Sequence, residues 1–317
     1  MINDTPIDIL SATLMKMKLK TSAAGAVDAG GNWAIEIPEH QGFKLNQIVR
    51  GECWVSLKGS KSNYHLKAGD CFLTINGTSC VVAKNLFIKR SVSLESLLKN
   101  SKNGVMTVNG GGEYFGIGTQ FQFDGHLPRI LFAHLPRAIH IPAHSDQAAI
   151  LRWSLERFGT EFFSRNIGRS LILNHLAPIM LLQIFRIYLS SEKSEKNWLI
   201  ALSDAKLSKA IEAVHSDYQM DWSLEKLAEV AGMSRSGFAL NFKKEVGIPP
   251  MDYLANWRIQ IACELLEAGG QNVSTVASAV GYESESAFSV AFKKIVNCRP
   301  GAYQKNHQSM LNRKEVA

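Results

Sequence analysis

Between Leu224 and Tyr303 the chain carries one pattern twice. The first copy runs LEKLAEVAGMSRSGFALNFKKEVGIPPMDY and the second VSTVASAVGYESESAFSVAFKKIVNCRPGAY. Gly232 matches Gly281 at an offset of 49, and Phe238 matches Phe288 at an offset of 50, so the second turn is one residue longer. Ala228 then falls on Ala277, Phe242 on Phe292, Lys243-Lys244 on Lys293-Lys294, Pro250 on Pro300 and Tyr253 on Tyr303. A duplication in register requires one supersecondary unit built twice.

Each copy reads as two short helices about a glycine. Leu224, Leu227, Ala228 and Ala231 recur at helical spacing, with Ser223 placed to cap and Glu225 in the first turn. Gly232 supplies the stop, because glycine tolerates the left-handed backbone that a sharp turn needs. Ser234 can cap a second helix that buries Phe238 and Phe242, four residues apart. Val273, Val276, Ala277 and Val280, then Gly281, then Phe288 and Phe292 repeat the scheme. This is a helix-turn-helix, whose second helix can enter a major groove. Between the copies, Leu254, Trp257, Ile261 and Leu265 predict a connecting helix that Gly269-Gly270 stops. Such a spacer suits recognition helices that reach successive major grooves, about 34 Å apart. A plain helical bundle with glycine turns explains one copy, but not two in register.

The region of about residues 205–305 resembles the DNA-binding domain of AraC/XylS-family transcription regulators. The carrying residues are Leu224, Leu227 and Ala228; Ala231-Gly232-Met233-Ser234; Phe238, Phe242 and Lys243; Pro250 and Tyr253; Ala277, Gly281 and Tyr282; Phe288, Phe292 and Lys293; and Arg299-Pro300 with Tyr303. The resemblance implies base reading from the exposed face of each second helix. That assigns Ser236, Ala239 and Leu240 in the first unit and Glu285, Ser286, Ser289 and Val290 in the second. An arginine is frequent in the family at the places held by Leu240 and Val290. Arginine would read guanine, whereas Leu and Val can touch only a thymine methyl. Either readout leans on apolar and shape contacts, or Arg235 and Asn241 take over, or Leu240 and Val290 are buried helix contacts. Ser223, Lys243, Lys244, Ser274, Lys293 and Lys294 are the candidate phosphate contacts.

The net charge of +7 favours a polyanionic partner, but its distribution weakens that argument. Residues 205–317 hold 13 of the 35 basic and 12 of the 28 acidic residues, so only +1 lies in the repeat region. Local placement of Arg235 and the paired lysines matters more. Five cysteines without a CxxC spacing fit small buried side chains in a reduced cytoplasmic protein. MINDTPIDIL lacks the basic and apolar regions of a signal peptide. The apolar run Leu171 to Leu189 carries Asn174, His175, Gln183 and Arg186, too polar for a membrane span, so no membrane partner is expected.

Ahead of the repeats the texture is β-rich. After an amphipathic helix over Ile7 to Leu19, strands are predicted at 33–37, 43–49, 53–57, 71–75 and 80–83, with 113–124 closing the sheet. Gly42-Phe43-Lys44, Gly51 with Trp54, and the turn Leu66-x-Ala68-Gly69-Asp70 resemble the small cupin domain that precedes the DNA-binding domain in one large AraC-type subgroup. Enzymatic cupins hold a metal through a His-x-His pair, a glutamate and a further histidine. Lys44 and Asn46 stand where that pair would fall, so no metal, cofactor or enzymatic activity is expected. His134, His140 and His144 gather nearby, but Pro142 breaks their alignment and they read as loop and core histidines. Asn109 to Gly116 (NGGGEYFG) lacks the Lys-Ser of a phosphate-binding loop. Trp33, Phe43, Trp54, His65 and Phe72 are candidates to line an effector pocket.

Helices are predicted from Ser145 to Phe163 and from Gly168 to Leu189. The second carries more apolar surface than one core needs, which points to a homodimer contact. The expected architecture is therefore a multidomain α and β chain. A cupin-like β-barrel with flanking helices (1–190) leads through a polar linker (191–204) to an all-α tandem helix-turn-helix domain (205–305) and a tail (306–317). The expected function is a transcription regulator on promoter DNA, with family resemblance implying activation through RNA polymerase. A small molecule is the candidate effector. The rival reading is a non-catalytic small-molecule-binding cupin with a degenerate DNA-binding domain.

Overall fold

The computed structural model describes residues 8–17, 19–125, 127–133, 135–145, 149–190 and 198–315. They divide into a sheet-rich unit and a helical unit.

The sheet-rich unit holds two sheets. The larger contains β1 (Lys20–Ala29), β3 (Phe43–Arg50), β6 (Cys71–Thr74), β9 (Val105–Val108), β10 (Tyr114–Gln122) and β11 (Ala138–Ile141), in the order β11-β6-β3-β10-β1-β9. The smaller contains β2 (Ala34–Ile37), β4 (Glu52–Leu57), β5 (Asn63–Lys67), β7 (Cys80–Ala83) and β8 (Val92–Ser93), in the order β5-β4-β7-β2-β8. Trp33, Ile35, Ile48, Cys53, Val55, Leu66, Phe72 and Tyr114 meet in one buried cluster. The strand at 113–124 does not close the sheet at an edge; β10 lies inside it, antiparallel to both β3 and β1. The strand β1 escapes the sequence reading because its small residues, KTSAAGAVDA, carry none of the β-branched alternation that marks a half-buried strand.

Three helices complete this unit: α2 (Leu94–Lys99), α4 (Ala149–Phe163) and α5 (Arg169–Ser190). By length and composition α5 could cross a membrane. It buries Leu176, Ala177, Met180, Leu181, Ile184 and Phe185 and packs against α4 and β1.

The helical unit gathers α1 (Ile9–Lys16), α3 (Leu127–Leu131), α6 (Trp198–Ala201), α7 (Leu207–Ser216), α8 (Leu224–Val230), α9 (Arg235–Val246), α10 (Pro250–Ala268), α11 (Val273–Ala279), α12 (Glu285–Val296) and α13 (Pro300–Glu315). The predicted helix over 7–19 is shorter, capped where Asp8 Oδ1 accepts from the Ser11 amide at 3.0 Å. It packs against α7, and Lys16 pairs with Glu264 of α10 at 2.9 Å. Within the expected linker, residues 191–197 lie outside the described residues and Trp198–Ala201 are helical with Trp198 fully buried. Helix α13 runs on to Glu315 through the segment expected as a tail.

Candidate nucleic-acid interface and the cavity of the sheet-rich unit

The two repeats fold into the same geometry. Ser223 caps α8 by accepting from the Lys226 amide at 3.2 Å, and Ser234 caps α9 through the Gly237 amide at 3.3 Å. In the second copy Asn272 caps α11 through Thr275 at 2.7 Å, and Ser284 caps α12 through Ala287 at 3.2 Å. Phe238 and Phe242 lie 5.4 Å apart at 59°, and Phe288 and Phe292 lie 5.5 Å apart at 59°. Tyr253 meets Phe242 edge-on at 5.6 Å, and Tyr303 meets Phe292 edge-on at 5.6 Å. The helices α9 and α12 both end on a left-handed residue, Gly247 (φ 90°) and Asn297 (φ 63°).

Burying the phenylalanines on one side turns the other side of each helix to water. Leu240 is 70% exposed and Val290 is 72% exposed, so neither is a buried helix contact. Ser236, Asn241, Glu285 and Ser286 are exposed beside them, whereas Ala239 and Ser289 are half-buried. Arg235 is engaged: its Nε lies 2.7 Å from Glu225 Oε1 on α8. Lys243, Lys244, Lys293 and Lys294 form the exposed last turns of α9 and α12, Ser274 is exposed, and Ser223 is half-buried.

The helix α10 spans the two copies, burying Leu254, Trp257, Ile261 and Leu266. Arg258 ties this spacer down, a role that sequence reading does not find. Its Nε donates to the Tyr218 carbonyl at 2.7 Å and its Nη2 to the Met220 carbonyl at 2.9 Å, while its guanidinium lies 5.6 Å from the centre of the Tyr282 ring.

In the sheet-rich unit, β1, β3, β9 and β10 of one sheet and β2 and β7 of the other enclose a cavity of about 160 Å³, with α2 along one side. Strand alternation points Lys44 and Asn46 into it, and Phe43 away, against Phe123 at 4.9 Å and Phe185 at 6.1 Å. Of the aromatic candidates, Trp33 lines this cavity. Trp54 stacks on His65 at 4.5 Å, and His65 Nε2 is 3.1 Å from Glu52 Oε2. Phe72 packs on Tyr64 at 4.9 Å and lines a second space of about 20 Å³.

The remaining candidate groups are committed elsewhere. His140 Nε2 lies 3.0 Å from Asp70 Oδ2, and His134 falls outside the described residues. The glycine-rich loop gives the Gly112 amide to Asp28 Oδ1 at 2.9 Å. Burial pushes the Cys53, Cys80 and Cys263 thiols up to about 12, which removes them as thiolate nucleophiles.

Comparison with known proteins follows the same division. Residues 8–190 match the family described as Cupin, and residues 227–306 match the Helix-turn-helix domain. A putative AraC-like transcription regulator of Streptomyces antibioticus is 31% identical over 95% of this chain and 99% of its own length. The HTH-type transcriptional regulator AlkR of Acinetobacter baylyi is 29% identical over 94% and 99%. Among solved structures, ToxT from Vibrio cholerae aligns with 90% of this chain and 96% of its own at 14% identity and a TM-score of 0.35.

Proposed function

The chain belongs to the AraC-like transcription regulators, with a cupin domain ahead of its DNA-binding domain, and from that premise we propose that it activates transcription from the cytoplasm as a homodimer. In this reading α9 and α12 enter successive major grooves, and the bound protein recruits RNA polymerase. One observation carries the DNA reading: two recognition faces of equal geometry, each presenting one large exposed aliphatic residue, joined by the buried spacer α10.

The ion pair of Arg235 with Glu225 favours apolar over guanine readout in the first unit. Glu285 takes the matching place in the second, where a carboxylate can accept from cytosine N4. Phosphate contacts fall to the lysines that end α9 and α12, and to Ser223 and Ser274 beside the starts of α8 and α11. Pairing between chains is supported by apolar residues left exposed on α4 and α5, among them Trp153, Leu171 and Ile179.

Purified full-length protein, used to select genomic fragments at fixed salt and then to footprint the best one, tests the proposal. Protection of two adjacent major grooves is the expected result. No enrichment over random fragments by the full-length protein, nor by residues 198–317 shown to be folded by circular dichroism, would refute it.

A further inference from the structure

We infer that the cavity of the sheet-rich unit is a site for a small organic carboxylate, with an apolar body about the size of a benzene ring and its anionic head on Lys44. The inference rests on the reading of this unit as the regulatory domain. It goes further in naming what the domain takes.

Shape comes first. The space is carved by missing side chains on two paired strands. Gly25 of β1 sits opposite Gly118 of β10, and Val27 sits opposite Gly116. Gly116 makes room for the Tyr114 hydroxyl, which a Cβ there would meet at 2.3 Å, and Gly118 lines the cavity beside Asn46, whose Oδ1 a Cβ would meet at 3.3 Å. Glycine inside a strand costs backbone entropy and packing, so such a set is expected where something else approaches closely. Trp33, Ile35, Ile37, Val82, Leu94 and Met106 make the walls apolar. A dry cavity of about 150 Å³ accommodates benzene, which sets the scale for one of about 160 Å³.

Chemistry comes second. Lys44 enters this apolar space half-buried; among the described residues no hydrogen bond or ion pair closes on its ammonium, and the Glu95 carboxylate of α2 acts on it only at longer range. An ammonium can only donate, and in a largely apolar space it is stabilised by an acceptor with negative charge. The Tyr114 hydroxyl is already engaged with Cys53, and Gln120 Nε2 donates to the Gln41 carbonyl at 3.0 Å. The donor left over therefore selects a ligand that accepts. A carboxylate does so with two oxygens, and a neutral alcohol of the same body does not match the charge.

Calorimetric titration of the full-length protein with benzoate and with benzyl alcohol tests this, on wild type, Lys44→Met and Gly118→Val, each checked for an unchanged fold by circular dichroism. Benzoate is expected to bind at least about tenfold tighter than benzyl alcohol. Lys44→Met is expected to abolish that preference while keeping the alcohol, and Gly118→Val to weaken both. Equal affinities in wild type, an unchanged benzoate affinity in Lys44→Met, or no binding of either probe at millimolar concentration would overturn the carboxylate site. The same samples, footprinted on the selected DNA with and without benzoate, separate the two claims. Benzoate binding that leaves DNA affinity unchanged sinks the regulatory reading and spares the site. DNA binding without benzoate binding does the reverse.

Discussion

Leu240 and Val290 carry no donor or acceptor, so a base can be known to them only by its C5-methyl group. Replacing the facing thymine by deoxyuracil deletes one methyl, about 0.8 kcal/mol of apolar burial, and should weaken binding about fourfold at each position. Leu240→Ala should make the protein indifferent to that change. Lys243→Ala should instead weaken all sequences alike and flatten the salt slope by roughly one unit. Titration of the two DNAs at several salt concentrations separates these outcomes, and a Leu240→Ala protein that still prefers thymine would refute the contact.

His215 poses a different residue-scale question. Its ring is stacked 3.5 Å from that of Trp257, its Nε2 lies 2.7 Å from the Tyr253 hydroxyl, and its Nδ1 is buried. Burial pulls its pKa down to about 3. The unfolded chain takes up a proton below about pH 6.5 that the folded ring refuses. The stability is therefore complete above that pH and is lost as pH falls towards 3, by about 2 kcal/mol between pH 7 and pH 5. Urea titrations of the helical unit at both pH values should show this loss, and His215→Phe should remove it.

At the scale of elements, the two turn glycines look alike in sequence and differ in packing. Gly232 (φ +61°) has open space where a Cβ would stand, whereas at Gly281 (φ +79°) that atom would lie 2.6 Å from the Gln219 carbonyl. Gly232→Ala should cost about 1 kcal/mol of left-handed strain. Gly281→Ala should cost more, because backbone must also move, and equilibrium denaturation of the two variants measures the difference. The helix α5 tests pairing. Leu171 (62% exposed) and Ile179 (41% exposed) lie eight residues apart, on one side of the helix. Leu171→Glu with Ile179→Glu should halve the mass seen by light scattering and leave the melting temperature of a monomer unchanged. A wild-type monomer at micromolar concentration would refute the dimer outright.

At the scale of the whole molecule, the helical unit draws on distant parts of the chain. Besides the Lys16 pair, Gln260 Nε2 donates to the Lys16 carbonyl at 3.0 Å, and Phe132, just after α3, meets Trp198 edge-on at 6.1 Å. Leu14 and Met17 are buried, each contributing about 1.5–3 kcal/mol relative to exposure. A fragment of residues 198–317 should therefore unfold several degrees below the helical unit of the full chain in a calorimetric scan. Equal transition temperatures would show that α1 and α3 add nothing to it.

What the chain reveals unaided is whatever rests on local rules: the duplicated stripes, the serine caps, the glycine stops and the spacing of the buried phenylalanines, although the exposure of Leu240 and Val290 was decided only by the folded helices. Those rules act over a turn or two of helix, and a helix-turn-helix is made of little else. The cavity obeys no such rule. Gly116 and Gly118 have meaning only because β10 pairs with β1 and sets them beside Gly25 and Val27, nearly a hundred residues away in sequence. Lys44 reads in sequence as a lost metal ligand; only the opposed sheets set it as a cation in an apolar cavity, with no hydrogen bond or ion pair on its ammonium among the described residues. Pairing across a sheet and docking of α1 on α7 depend on contacts that local patterning does not encode, and there the tertiary structure decided.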